Sequence, residues 1–222
     1  MALDFKLSDE FVNSYKDKEV PWGYKDGAGN SLGEITTLRT YSRVKEDGTK
    51  EKWHEICRRV IEGMFTLQKR HARQNRIEWK NDKAQRTAKD AYDRMFNMKW
   101  LPPGRGIWSM GSPLVMDDNN SASLQNCAAC SSEESVVEAA IFLFDASMLG
   151  VGVGFDSLGA DKFPVLEPEG SYTYVIPDSR EGWVESLRLL LAAYIDEGKK
   201  RNPLPVMDYS EVRPAGAPIK RF

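Results

Sequence analysis

The run SLQNCAACSSEESVVEAAIFLFDASMLGVGVGF, residues 123–155, passes from small residues through a capping signal into a helical period. SLQNCAAC is short, small and apolar, which predicts a buried strand. Ser131 and Glu134 stand at the S-x-x-E spacing of a capping box, whose hydroxyl and carboxylate satisfy the orphan amides of a new helix. Val136, Val137, Ala140, Ile141, Phe144 and Met148 follow three and four residues apart, on one face of that helix. The helix runs into GVGVGF, residues 150–155, where glycines let the backbone turn and approach a neighbour closely.

The same alternation continues toward the C-terminus. TYVIP (173–177) predicts a strand, Asp178 and Glu181 repeat the capping spacing, and Trp183, Leu187, Leu190, Leu191 and Tyr194 line a second helix. LPVMDYSEV (204–212) returns as a strand. Strand, helix, strand, helix, strand is the order of a parallel α/β sheet with helical crossovers. Before residue 100 the pattern is helical. Trp53, Ile56, Val60, Met64 and Leu67 share one helix face, and Ala88, Ala91, Tyr92, Met95 and Phe96 are the buried side of a helix over 82–98 that ends at LPPGRG. GYKDGAGNSLG (23–33) reads as a loop and RTYSRV (39–44) as a short strand. The expected organisation is α/β, with an N-terminal mainly helical region over 1–100 and the first part of a sheet or barrel over 101–222.

The chain has 222 residues, 41% hydrophobic and 29% charged, with a formal net charge of -2. A near-balanced charge gives no electrostatic reason to expect nucleic acid or an anionic membrane as partner. No apolar run approaches the ~20 residues of a membrane span, and the start lacks the apolar core of a signal peptide. The expected location is cytoplasmic. Three cysteines make an odd count that suits reduced thiols better than a disulfide scaffold.

Two of them, Cys127 and Cys130, stand at C-x-x-C spacing. A zinc site needs four ligands, and the remaining candidates are Cys57, His54 and His71, with no second C-x-x-C. Surface or rim positions on polar helices are the plainer reading of both histidines. A thioredoxin-like pair needs its first cysteine at a helix N-terminus, whereas here the helix begins after Ser131. If 124–130 is extended, residues three apart point to opposite faces, so one thiol faces a site and the other packs as a small hydrophobe. GVGVGF has neither the spacing nor the order of a dinucleotide fingerprint, which leaves a close-packed turn.

PPGRGIW (102–108), SLQNC (123–127), FLFDASMLGVGVGFDS (142–157), PDSREGW (177–183) and DYSEVRPAGAPI (208–219), in this order, resemble the N-terminal portion of the adenosylcobalamin-dependent (class II) ribonucleotide reductases, monomeric ribonucleoside-triphosphate type. The resemblance implies the first part of a ten-stranded α/β barrel and a radical enzyme that makes deoxyribonucleotides. In that family a thiyl radical removes the 3′ hydrogen of the substrate. A pair of cysteines then reduces the 2′ position, water leaves, and the pair ends as a disulfide.

Carried onto this sequence, the resemblance makes Cys127 one member of the reducing pair, leaves Cys130 structural, and puts Asn126, Gly152 and Gly154 beside substrate. Asp178, Ser179 and Arg180 fall near a deoxynucleotide effector site, although a plain N-cap is the simpler role for Asp178. The segment between Asp156 and Tyr174 reads as short for the insertion that completes this site in monomeric members. No resident metal ligand set is expected. Adenosylcobalamin would be bound mainly by a C-terminal portion not present here. The expected partners are a complementary C-terminal reductase chain, a ribonucleoside triphosphate, a deoxynucleotide effector and a thioredoxin-like reductant. A non-catalytic nucleotide- or partner-binding remnant is the competing reading.

Overall fold

The computed structural model describes residues 3–45, 47–118, 120–198 and 203–217. The chain divides into two compact units, 1–124 and 125–222. That division lies later than the composition change at 100/101, because the short helices after the prolines pack with the helical unit. Among the described residues no helix is long and apolar enough to cross a membrane.

In the first unit, α1 (Asp9–Asn13) starts at Ser8, whose hydroxyl accepts from the Phe11 amide, and α2 spans Leu32–Thr36. The core lies between α3 (Trp53–Gln74) and α4 (Asn81–Phe96). Ile56, Cys57, Val60 and Ile61 of α3 meet Ala88, Tyr92, Met95 and Phe96 of α4, all essentially without solvent contact. The α3 stripe is thus rotated from the expected one, with Met64 and Leu67 only half-buried. Two buried bonds lock the pair: the Tyr92 hydroxyl donates to the His54 carbonyl at 2.8 Å, and Trp53 Nε1 donates to the Phe96 carbonyl at 3.1 Å. His54 is therefore a core residue, 8% exposed, and not the rim position expected, whereas His71 is exposed.

One further local expectation is corrected in this unit, and the end of the second long helix is refined. RTYSRV is not a strand: Thr37–Tyr41 is a π-helical turn, and only Val44 forms an isolated antiparallel bridge, with Lys50. The Arg43 amide is satisfied by the Glu51 carboxylate instead of a neighbouring strand. α4 stops ahead of LPPGRG, where Met98 adopts φ 56° and the Lys99 amide donates back to the Arg94 carbonyl. GRG then opens α5 (Gly104–Ser109) behind Pro103, and α6 (Pro113–Met116) follows. A proline at a helix entrance loses no hydrogen bond, since its missing N–H would have been an orphan there.

The second unit contains two parallel crossovers. β1 (Cys127–Cys130), α7 (Val136–Met148) and β2 (Gly152–Phe155) form the first, with Cys127 opposite Gly152 and Cys130 opposite Phe155. β3 (Ser171–Val175), α8 (Arg180–Tyr194) and β4 (Leu204–Asp208) form the second, with Ser171 opposite Leu204. The parallel α/β order is as the sequence implies, but among the described residues it yields two separate two-stranded sheets. α7 packs on α8.

Boundaries again differ in detail. Ser121–Leu124 is a 3₁₀ turn, so only CAAC is extended, and its exposure alternates where a buried strand was expected. α7 is capped by Ser135, which accepts from the Glu138 amide, four residues after the expected capping box at Ser131. Gly150 and Val151 end α7 by donating back to Ser147 and Ala146, a Schellman pattern with Gly150 at φ 79°. The turn is confined there, and GVGF is strand β2. α8 is capped by Ser179, accepting from the Gly182 amide, and not by Asp178. The last residues of the DYSEVRPAGAPI match, Pro218 and Ile219, lie outside the described residues.

Candidate active site

Parallel register puts partnered residues on the same side of a sheet. Cys127, Ala129, Gly152 and Gly154 accordingly share one face of the β1–β2 pair, and all four are exposed. Ala128, Cys130 and Val153 turn to the other face, toward α7, and are half-buried. The Cys130 thiol there points at the Ala139 carbonyl, 3.6 Å away, and at the Gly154 carbonyl, 3.9 Å away. The two cysteines therefore occupy opposite faces of one short strand, and both are free thiols. This geometry opposes a Cys127–Cys130 disulfide without backbone rearrangement.

The result is a shelf with one thiol at its edge. The Gly152 amide donates to the Asn126 carbonyl at 2.9 Å, which fixes the start of β2 against the residue before Cys127. A Cβ at Gly152 would meet only that carbonyl, at 3.6 Å, and one at Gly154 only the Ala128 carbonyl, at 4.0 Å. These are ordinary contacts. Packing within the sheet does not require glycine at either position, and their bareness instead clears the space beside the thiol.

Behind the shelf a carboxylate ties the strand ends together. Asp156 follows β2 and accepts from the Ser132 amide at 3.0 Å, the Ser132 hydroxyl at 2.9 Å and the Leu158 amide at 3.2 Å. These donors, the Ser132 amide foremost, lower its pKa to about 2. Next to this knot lies an apolar cavity of about 420 Å³, walled by Val136, Ala140, Phe144, Phe155 and Leu187. Asp156 lies within the FLFDASMLGVGVGFDS stretch, where the sequence alone assigns it no role. Its signal is the Asp-Ser dipeptide directly after a strand, a frequent Asx-turn start.

The effector candidates sit at the entrance of α8, and each has a structural partner. Asp178 accepts from Arg213 Nε at 3.0 and 2.9 Å. Ser179 caps the helix. Arg180 donates to Asp145 of α7 at 2.6 Å and to Glu181 at 2.8 Å, while keeping a third of its side chain exposed. The α7 entrance is held in a similar way, since Glu197 accepts from the Ser135 hydroxyl and the Val137 amide. No group of three or more His, Cys, Asp or Glu side chains among the described residues is arranged to hold a metal ion.

Comparison with known proteins finds matches in both units. Residues 7–112 match the model of the ribonucleotide reductase alpha domain, and residues 151–222 match that of the B12-dependent ribonucleotide reductase insertion domain. The second match includes the segment between Asp156 and Tyr174, so an insertion-domain likeness exists where the sequence looked short for one. The chain is 42% identical to the probable adenosylcobalamin-dependent ribonucleoside-triphosphate reductase of Dictyostelium discoideum, over 99% of its own length and 30% of that protein. It is 41% identical to the adenosylcobalamin-dependent ribonucleoside-triphosphate reductase of Euglena gracilis, over 100% of its length and again 30% of the relative. The crystal structure of a B12-dependent (class II) ribonucleotide reductase superposes with a TM-score of 0.72 at 24% identity, covering 99% of this chain and 37% of that one. The fold is thus shared. The chain spans about 30% of the length of these curated relatives.

Proposed function

The chain belongs to the B12-dependent (class II) ribonucleotide reductases, and on that premise we propose that it supplies one thiol of the pair that reduces a ribonucleoside triphosphate to the deoxy form. Cys127 is that thiol. The observation that carries the assignment is its place on the exposed, glycine-bare face of β1–β2, with Cys130 turned to the opposite face. Asn126, Gly152 and Gly154 border the space in which the ribose would lie.

The reduction balances over two thiols. The 2′ hydroxyl takes one proton and leaves as water, two electrons and the second proton pass to C2′, and the two sulfurs join as a disulfide. A thioredoxin-like dithiol then restores the pair. The second sulfur comes from outside these 222 residues, because Cys130 faces away and Cys57 is buried in the helical unit.

Adenosylcobalamin supplies the radical initiation when bound. The described residues do not fit that group: their apolar cavity, about 420 Å³, carries few polar groups to receive the amides of a corrin. The cofactor surface is accordingly assigned to the part of the reductase that these 222 residues do not span. Supporting this are two parallel two-stranded sheets with open edges and exposed Phe155 (69%) and Val206 (54%), since parallel sheets are ordinarily covered on both faces. Asp178, Ser179 and Arg180 are the proposed effector contacts, supported by the exposed part of Arg180.

Two measurements test the reading. Affinity purification from the native source should bring down a stoichiometric partner that carries the rest of the reductase, and a folded chain that purifies alone would favour a binding role without chemistry. In the complete reductase, Cys127→Ser should lower deoxynucleotide formation at least a thousandfold while Cys130→Ser keeps most of it. Equal loss from both would overturn the assignment.

A further inference from the structure

The helical unit contains a second cavity, of about 300 Å³, made only of residues from that unit. Its inner wall is aromatic and well ordered by packing. Trp22 and Trp53 stand with ring centroids 5.3 Å apart, inclined by 56°, and beside them lies His54. Trp53 and His54 are 4% and 8% exposed, whereas Trp22 is only half-covered.

The rim is cationic. Lys16, Lys18 and Lys52, all exposed, line the cavity together with a single carboxylate, Glu34. Lys18 lies over the Tyr15 ring at 3.7 Å, and among the described residues neither Lys16 nor Lys52 has an ion-pair partner. The field this produces is felt inside. Burial foremost holds the pKa of His54 below its ordinary value, and the Lys52 and Lys16 ammoniums add to that against the opposing pull of Glu55.

An accessible indole, Trp22, beside three ammoniums suits one ligand chemistry, a planar aromatic body that carries a concentrated negative charge. We propose that this cavity binds a nucleoside phosphate, with the base against Trp22 and the phosphates among Lys16, Lys18 and Lys52. The enclosure and the three-lysine rim fit a mononucleotide better than a polymer, whose backbone would need a longer cationic track. The site is independent of the proposed reduction at Cys127, because every one of its residues comes from the helical unit.

Titration of the 222-residue chain with ATP, dATP, adenosine and tripolyphosphate, followed by tryptophan fluorescence and calorimetry, tests this. ATP or dATP should quench the fluorescence and bind at least tenfold more tightly than adenosine or tripolyphosphate. Lys16→Gln with Lys52→Gln should weaken that binding at least tenfold, and Trp22→Phe should remove most of the quench, in variants whose circular dichroism matches the parent. No nucleotide binding at millimolar concentration would overturn the proposal. So would tripolyphosphate binding as tightly as ATP, which leaves no role for the aromatic wall. A nucleotide affinity unchanged in the lysine pair but lost in Arg180→Ala would move the site to the second unit and equally overturn it.

Discussion

Asp156 holds the end of β2 to the segment after β1 through the amide and hydroxyl of Ser132. Because those donors stabilise the ionised form, its folded pKa of about 2 lies below the ordinary 3.8. The linked stability is fully present above the unfolded value and is lost as pH falls through about 2. Asp156→Asn should therefore lower the thermal midpoint at pH 7 and make little difference near pH 2, as followed by circular dichroism at both values. A second residue-scale test concerns a covered ion pair. Arg59 Nε meets Glu51 at 2.8 Å with both side chains about one-tenth exposed, and Arg59 Nη1 also donates to the Ile107 and Met110 carbonyls. Arg59→Ala leaves the Glu51 charge and two carbonyls without these donors, a loss of roughly 3–5 kcal/mol by chemical denaturation.

At the scale of elements, α3 is built to admit a loop. Gly63 lies in mid-helix, and a Cβ there would stand 2.6 Å from the Gly111 amide nitrogen and 2.7 Å from its Cα. Alanine normally favours a helix by about 1 kcal/mol over glycine, but overpacking against backbone costs roughly 1–3 kcal/mol. Gly63→Ala should thus be net destabilising in a urea titration, against its helix propensity. Such contacts explain what was legible in the sequence. The long helices α3 and α4, and the order of parallel strand and helix after residue 125, follow from periodicities that many residues repeat. Caps and short strands rest on one or two residues and compete with equivalent neighbours. Ser135 and Ser131 both stand three residues before a glutamate, and only the geometry at Val136 selects Ser135. RTYSRV has strand-forming residues, but among the described residues it gains only the isolated Val44–Lys50 bridge, so local hydrogen bonds win. At the site, alternation along an extended CAAC correctly separates Cys127 from Cys130. The register that sets Gly152 beside Cys127, and the pairing of Asp178 with Arg213, depend on contacts 25 and 35 residues away in sequence, which no local pattern encodes.

At the scale of the whole molecule, the two units bury their apolar residues to different degrees. Most of the fully covered apolar side chains form a continuous core in the helical unit, and both units leave large apolar side chains more than half exposed, Tyr24, Leu32 and Val44 in the first and Phe155, Leu158, Val206 and Tyr209 in the second. In the second unit these side chains lie on or just after the strands of its parallel sheets, a type of sheet ordinarily covered on both faces.

The three thiols divide along the same line. Cys127 is exposed, Cys130 is half-buried under the sheet, and Cys57 has no solvent contact, with burial pushing its pKa well up. One chain therefore carries three chemical clocks. Under an alkylating reagent with mass-spectrometric readout, Cys127 should be modified first and Cys57 only at the rate at which the helical unit opens. Protection of Cys127 alone would then time the arrival of whatever settles on the shelf, while Cys57 keeps an independent record of folding.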